Sequence, residues 1–203
     1  YKRQDISHEF NDNWKLNHRF MASFAKYTQY DIFTNPPEGK TTIFSRSLWG
    51  VNNQRDIYGT NLELTGKFNF GPTQHNVLFG TDYYQKDEYG SGHCCDKVPE
   101  IDGMNPHYTG LTRANLEAFP TNSFFTGLQE WNGVYFQDQI TILDKLHVLG
   151  GGRHDWLANG SSWVDSSLAS AYQTQESSKT KTEKFSPRIG VLYGPFEWLS
   201  LYG

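Results

Sequence analysis

Apolar and polar residues alternate with a period of two along much of this chain. In residues 61–70 the even positions are mostly apolar and the odd positions are polar or charged, and the alternation recurs in residues 14–24 and 185–193. Successive side chains of a β-strand point to opposite faces, so the pattern predicts strands that separate an apolar environment from a polar one. No segment shows the 3.6-residue period of an amphipathic helix. The sequence therefore predicts an all-β chain.

Turn-forming residues divide the alternating stretches into eight predicted strands. The strands are predicted at about 2–10, 14–30, 54–70, 75–88, 130–143, 146–157, 183–194 and 198–203. Their connections alternate between short turns (11–13, 71–74, 144–145 and 194–197) and long polar segments (31–53, 89–129 and 158–182). Short periplasmic turns at one end and long extracellular loops at the other are typical of an antiparallel transmembrane β-barrel.

A soluble β-sandwich would also contain alternating strands. Its loops would not sort so regularly by length, and structureless loops of about 40 residues are uncommon in compact soluble domains. The second and third predicted strands have about 17 residues each, whereas about 9–11 residues cross a membrane. These strands should therefore project above the bilayer, and the barrel is the favoured interpretation.

The barrel interpretation gives each strand a direction, because short turns face the periplasm. The first predicted strand descends toward the periplasm and the second ascends. Aromatic residues near the strand ends then fit two interfacial girdles. The lower girdle is predicted to contain Trp14, Phe68, Phe70 and Trp198, and the upper girdle Tyr83, Trp131 and Trp156. Asp138 falls on the predicted lipid-facing side, where a bulge turning it inward or a neighbouring cation would remove the conflict.

Composition excludes several other classes of protein. No apolar run is long enough for a transmembrane helix, and 16% aromatic residues beside 19 glycines argue against a disordered chain. The net charge of -4 without a basic stripe argues against a nucleic-acid partner. The chain starts at Tyr1 and stops within an alternating stretch, so we expect it to be a piece of a longer protein.

Several short segments, in a fixed order, carry a resemblance to a known family. They are GVYFQDQ (133–139), LGGGRHD (149–155), FSPRIGVLY (185–193) and WLSLY (198–202), with FGTDY (79–83) and HEFND (8–12) upstream. In this order and spacing the chain resembles the barrel of TonB-dependent siderophore receptors, particularly the hydroxamate (ferrichrome-like) branch. The resemblance covers nearly all of the chain outside the long segments.

The resemblance implies a bacterial outer-membrane receptor with a 22-stranded barrel filled by an N-terminal plug. Residues 1–203 would supply about eight consecutive strands of that barrel, and the plug would lie outside them. The implied partners are a ferric siderophore, outer-membrane lipid and the TonB energy-coupling complex, which acts through the region preceding the plug. The ligand would be an Fe(III)–siderophore complex, and no covalently bound cofactor is expected.

Aromatic residues near the upper ends of the strands are the predicted ligand contacts. Ferric hydroxamates are compact, with a polar chelate centre and apolar edges, so aromatic rings and phenol hydroxyl groups suit them. The family places aromatic ligand contacts in these regions, which here contain Tyr27, Tyr30, Phe33, Tyr84 and Tyr89. Tyr27 and Tyr84 have the inward parity, whereas the other three lie where strand becomes loop.

No catalytic arrangement is evident, and we expect the protein not to be an enzyme. A barrel enzyme needs a nucleophile or an activated water with an oriented base at one rim, and the spacing of the seven histidines indicates neither. Two other functions remain open. One is a passive porin-like channel, and the other is a TonB-dependent receptor for haem, a vitamin or a sugar.

The adjacent Cys94 and Cys95 allow several interpretations. With His93, Asp96 and His107 they offer the donor types of a metal site, although adjacent cysteines rarely address one ion together and no metal site is predicted. In an oxidising exterior a disulfide is more natural, either between the neighbours or to a cysteine elsewhere in a longer chain. Free thiols are the remaining alternative.

Overall fold

The computed structural model describes residues 1–37, 39, 41–108, 110–196 and 198–203. Within these ranges eight strands form one antiparallel sheet in sequence order, which confirms the predicted fold class. The strands are β1 (Lys2–Asn11), β2 (Trp14–Thr34), β3 (Ile43–Phe70), β4 (Thr73–Asp102), β5 (Ser123–Ile142), β6 (Leu146–Val164), β7 (Thr180–Phe196) and β8 (Leu199–Tyr202). The helices are α1 (Arg113–Glu117) and α2 (Leu168–Ser177). Neither described helix is long and apolar enough to cross a bilayer.

Strands β2 to β7 are longer than the sequence pattern predicts, whereas β1 matches its prediction to one residue and β8 is shorter. β3 contains 28 residues and β4 contains 30, so most of the predicted long segments at 31–53 and 89–129 is paired strand. The third long segment, 158–182, loses residues to β6 and β7 in the same way. In the upper wall both apolar and polar residues are buried, including Leu48 and His93, so the sequence there shows no apolar alternation although the strands are paired through backbone hydrogen bonds. Alternation therefore marks only part of each of these longer strands.

Both helices were missed because they are too short to show a helical period. Thr112 opens α1 with a capping box, in which its hydroxyl accepts from the backbone N–H of Asn115. α2 lies against β5 and β6. The backbone carbonyl of Ala171 accepts hydrogen bonds from Thr126 Oγ1 at 3.3 Å and from Ser162 Oγ at 2.7 Å. Two hydroxyl groups of the sheet thus hold the helix in place.

The first three tight turns form where the sequence predicts them. The last turn, predicted at 194–197, is displaced, because β7 continues to Phe196; Glu197 lies outside the described residues. In the first turn the side-chain carbonyl of Asn11 accepts from the backbone N–H groups of Asn13 (2.9 Å) and Trp14 (3.0 Å). In the third turn Leu143 and Asp144 both have a positive φ, the conformation of a hairpin turn that matches strand twist. These turns fix the register of the hairpins that they close.

Regular pairing sorts the side chains onto two faces of the sheet. We call the side that carries Arg19, Glu63 and Arg153 the inner face, and the side that carries Leu16 and Phe136 the outer face. The β2–β3 register runs from Trp14 to Thr34 without a shift, so this assignment holds along the whole pair. Large hydrophobic side chains of the outer face are left exposed, including Phe79, Val134 and Phe136. Such an apolar outer surface is what contact with lipid requires.

The inner face carries a network of charged and polar groups at the level of that apolar surface. Arg153 bonds to both carboxylate oxygens of Asp82 at 2.8 and 2.9 Å, and it also bonds to Asp155 at 2.7 Å. Tyr135 donates to Glu63 at 2.8 Å and accepts from Asn61 at the same distance. These bonds join β3, β4, β5 and β6, so the network ties the wall below the candidate site together.

Asp138 lies on the outer face, as the alternation predicts, and it has a partner there. The registers of β5 with β4 and β6 show no bulge at this position. His75 Nδ1 lies 2.7 Å from Asp138 Oδ2, and His75 Nε2 lies 3.0 Å from Thr73 Oγ1. The ring of Phe68 stacks on His75 with centroids 4.9 Å apart. A neighbouring imidazole, and not a bulge, therefore accommodates the carboxylate.

Trp131 does not belong to the upper girdle, which corrects the sequence interpretation. It pairs with Tyr84 across β4, and its indole N–H donates to Asp82 Oδ1 at 3.2 Å, on the inner face. The alternation of side chains places Trp131 on the inner face, because it is an even number of residues from the inner-face Tyr135 in an unbulged strand. Tyr83 and Trp156 of the predicted upper girdle do lie on the outer face.

Candidate functional site

A recess of about 550 Å³ opens on the inner face, above the level of Tyr83 and Trp156. Four strands each supply an aromatic side chain to its lining. We use the name recess for the space lined by Tyr27, Trp49, Val51, Asn53, Glu88, Phe125, Thr126, Gly127, Ser161, Ser162 and Trp163. The site therefore depends on the pairing of β2 to β6, because these aromatic residues are far apart in sequence.

One cross-strand row forms the centre of the recess. Tyr27 pairs with Asn53, Asn53 with Gly90, Gly90 with Phe125, and Phe125 with Trp163. The rings of Phe125 and Trp163 stack with centroids 5.3 Å apart and planes 14° from parallel. Residues directly opposite each other in a sheet bring their side chains together. The row thus presents a flat aromatic surface beside polar groups.

Gly90 makes room for this row. A Cβ atom at this position would lie 2.2 Å from the backbone oxygen of Asn52 and 2.7 Å from Cζ of Phe125. The missing side chain lets the Phe125 ring lie across β4, next to Asn53. Glycine in a strand interior weakens the strand and often marks such a close approach.

Polar side chains form a compact group at the lower edge of the recess. Arg55 donates to Glu88 Oε1 at 2.8 Å, and Lys86 Nζ lies 2.9 Å from Glu88 Oε2. The side-chain amide of Asn53 donates to Glu88 and, at 2.6 Å, to the phenol oxygen of Tyr27. The Arg55 guanidinium also lies 5.8 Å from the centre of the Tyr27 ring. One carboxylate thus receives bonds from three donors.

These bonds keep Glu88 ionised. Burial by itself would raise the pKa of Glu88, but hydrogen bonds from Arg55, Asn53 and Lys86 outweigh it and lower the pKa to about 2. Asn53 is only 4% exposed, and its Oδ1 has no hydrogen-bond partner among the described residues. The Nε of Arg55 is also unused within the described part of the chain. The group therefore contains one buried acceptor and one buried donor without a hydrogen-bond partner among the described residues.

The predicted ligand contacts divide between the two faces. Tyr27 lines the recess, and regular pairing puts Phe33 on the inner face above it and Tyr84 on the inner face below it. Tyr30 and Tyr89 lie on the outer face. The ring of Tyr30 lies 5.9 Å from His93, and the ring of Tyr89 lies 6.4 Å from Tyr172 of α2.

The sequence interpretation missed most of the recess. Trp49, Asn53, Phe125 and Trp163 lie in segments that were predicted as loops, so they had no assigned parity. One signal in the sequence could have located Asn53. β2 and β3 pair without a register shift, so the alternation of side chains, extended along both strands, places Tyr27 and Asn53 on one face. Trp163 had no such signal, because only its pairing with Phe125 places it there.

Cys94 and Cys95 are joined to each other by a disulfide at the upper end of β4. They lie at a β-bulge, where the β3–β4 register shifts between Leu48 and Trp49. Asn122 holds this segment, since its Oδ1 accepts from the backbone N–H of Cys94 at 3.0 Å. Within the described residues no cluster of three His, Cys, Asp or Glu side chains is placed to hold a metal ion.

Comparison with known proteins gives a consistent picture. The family described as TonB dependent receptor-like, beta-barrel, matches residues 2–203. The Ferrioxamine B receptor of Salmonella typhimurium is 24% identical over 151 residues, which cover 74% of this chain and 20% of that receptor. The probable TonB-dependent siderophore receptor PiuA of Acinetobacter baumannii is 24% identical over 216 residues, covering 97% of this chain and 28% of the receptor. The chain thus spans about a quarter of the length of such relatives.

Solved structures share the fold. The ferric preacinetobactin receptor BauA of Acinetobacter baumannii matches with a TM-score of 0.70 and 18% identity, over 97% of this chain and 28% of that one. The P. aeruginosa receptor FpvA, solved with a bound heterologous pyoverdine–iron complex, matches with a TM-score of 0.71 and 14% identity, over 98% of this chain and 25% of that one. At these identities the likeness is one of fold.

Proposed function

The chain belongs to the TonB-dependent receptor β-barrel family, and from this premise we propose that it forms part of the wall of an outer-membrane receptor for ferric siderophores. Relatives named as receptors for ferrioxamine B and ferric pyoverdine support this ligand class. The bound substrate is an Fe(III) chelate, and passage inward is driven by TonB through a part of the receptor outside these residues. No covalently attached cofactor takes part.

The observation that carries the proposal is the aromatic row on the inner face, which lies above the level of the apolar outer surface. A ferric chelate presents apolar edges around a polar centre, so stacked rings supply contact area while phenol and amide groups supply hydrogen bonds. The stacked pair of Phe125 and Trp163 supplies the contact area, and the phenol of Tyr27, which accepts a hydrogen bond from Asn53, supplies a hydrogen-bonding group. We propose that Phe33 and Tyr84 extend this surface above and below.

Phe125 and Phe136 provide a matched test, because they lie in one strand on opposite faces. We expect Phe125→Ala in the complete receptor to weaken binding of a ferric trihydroxamate about tenfold, since loss of a stacked ring typically costs about 1 kcal/mol beyond its buried area. Phe136→Ala should leave the Kd unchanged. The measurement is quenching of tryptophan fluorescence during titration of the receptor in detergent. Equal effects of the two substitutions would contradict the proposed site.

A further inference from the structure

A β-bulge interrupts the wall at the upper edge of the recess, and the Cys94–Cys95 disulfide spans it. Trp49 of β3 pairs with Cys94 of β4. The adjacent Leu48 pairs with Asp96, so Cys95 is the extra residue of β4. In such a bulge two residues of one strand oppose a single residue of the partner strand. The disulfide therefore closes a ring across the two residues that form the bulge.

Cys95 has a backbone conformation that favours glycine. Its φ is 69°, in the left-handed region, where a side chain is disfavoured. One common class of bulge carries glycine at its left-handed position for this reason. Here no glycine is present, but the bond between the two side chains restricts this dipeptide to few backbone conformations. The bulge thus rests on a covalent constraint instead of on glycine.

The bulge changes which side chains share a face above the recess. His93 and Asp96 are three residues apart, so they would point to opposite faces of a regular strand. The extra residue brings them together, with His93 Nδ1 3.1 Å from Asp96 Oδ2 on the outer face. On the inner face Cys94 lies opposite Trp49, which lines the recess. Because a bulge re-aims the neighbouring side chains, the position of the Trp49 ring depends on it.

Resting on the proposed function, we infer that the Cys94–Cys95 disulfide is a positioning element that holds the Trp49 ring where it contacts the bound chelate. Asn122 anchors one end of the dipeptide, since it accepts from the backbone N–H of Cys94 at 3.0 Å and donates to the Cys94 carbonyl at 3.3 Å. Cys95 is exposed, so the disulfide is what restrains the left-handed residue. Without that bond, affinity falls with the fraction of receptor that keeps the bulge.

Glycine at position 95 should replace the disulfide. The complete receptor in detergent is titrated with ferrioxamine B, a ferric trihydroxamate, and isothermal titration calorimetry gives the Kd. Cys94→Ala with Cys95→Val should raise the Kd about fivefold, because a β-branched residue is disfavoured at a positive φ. Cys94→Ala with Cys95→Gly should keep the Kd of the unsubstituted receptor, since glycine adopts this φ without the bond. Equal weakening by the two double variants would overturn the inference.

Replacement of Trp49 shows whether the cysteines act through this ring. In a receptor that also carries Trp49→Ala, the valine and glycine double variants should bind ferrioxamine B with the same Kd, because there is no ring left to position. A difference between them that persists without the ring would overturn the inference. It would mean that the bulge affects binding by another route.

Tryptophan fluorescence of the ligand-free receptor tests the positioning without any chelate. A water-soluble phosphine and one water molecule convert the disulfide to two thiols, and the phosphine becomes its oxide. Reduction should move the emission to longer wavelength as the Trp49 ring becomes more exposed. The shift should be absent from Trp49→Phe and from the glycine double variant, which has no disulfide to reduce.

This measurement also separates the two proposals. If the shift occurs and depends on Trp49 but the unsubstituted receptor does not bind ferrioxamine B, the proposed function fails for this ligand while the positioning of Trp49 by the disulfide is supported. If ferrioxamine B binds but reduction gives no shift that depends on Trp49, the inference is overturned and the proposed function stands. The same measurement decides the matter should the valine double variant fail to assemble.

Discussion

His75 and Asp138 form a polar pair on an outer face that is otherwise mostly apolar. Each side chain is largely covered, with 16% and 20% exposed, and the stacked ring of Phe68 shields the imidazole. An unpaired carboxylate facing lipid is costly, so this residue depends on its neighbour. Asp138 Oδ1 has no hydrogen-bond partner among the described residues, which makes the remaining bond through Oδ2 more important.

We expect the pair to show strong coupling when it is substituted. His75→Phe alone should destabilise the receptor by about 1–3 kcal/mol, because it leaves the Asp138 carboxylate without its hydrogen-bond partner. Adding Asp138→Leu should restore most of that loss, since the two positions then carry apolar groups facing lipid. Thermal unfolding in detergent, followed by circular dichroism for both single variants and the double variant, measures the coupling. Additive losses would show that the pair contributes nothing as a pair.

The bulge in the β3–β4 pair is the main irregularity near the recess. It lies between Leu48 and Trp49 on β3, opposite the disulfide-bonded cysteines, and Cys95 has a positive φ. Trp49 lines the recess, so the bulge helps to set where this ring lies. The backbone geometry at the cysteines thus influences the position of Trp49 in the candidate site through the β3–β4 pair.

Thiol counting should show both cysteines blocked and bonded to each other. Alkylation of the denatured receptor without reductant should add nothing to the peptide that contains Cys94 and Cys95, and alkylation after reduction should add two groups. Mass spectrometry of that peptide reads both results. A peptide linked to another cysteine-containing segment, or two groups added before reduction, would exclude the vicinal bond.

Strand pairing explains how far the sequence could predict these elements. The membrane-level parts of β2 and β3 are visible because one face is apolar, and the turn at Asn11 is visible because its side chain caps the backbone. The upper wall lacks that contrast, and its polar residues resemble a loop until they are paired. Tyr27 and Tyr84 could be assigned to the inner face by parity. Trp163 and the Glu88 group could not, because their role depends on contacts between strands that sequence periodicity does not describe.

The molecule as a whole exposes far more surface than a globular protein of its size. Its accessible area is 13,717 Å². A compact monomer of 23.3 kDa would expose about 9,700 Å² on the general scaling of area with mass. Most of β1 and β7 is exposed, and both edges of the described sheet lack a neighbouring strand within it. Such edges and apolar surfaces promote association.

The isolated 203-residue chain should therefore aggregate in buffer without detergent. Sedimentation velocity should show large, heterogeneous species, and detergent above its critical concentration should shift them toward small mixed complexes. The reason is the exposed outer face together with the unpaired edges. A monodisperse, cooperative monomer without detergent would be inconsistent with a barrel segment.

The unshifted register of β2 and β3 restricts how this wall can diverge among relatives. With a side-chain repeat of two, these strands behave like a reading frame: a one-residue insertion near Phe24 would send Tyr27 outward while Leu16 stayed in place. Related chains can therefore change the inner face here by substitution, or by gaining and losing residues in twos. Changes of length between β2 and β3, outside their paired residues, leave this register in place.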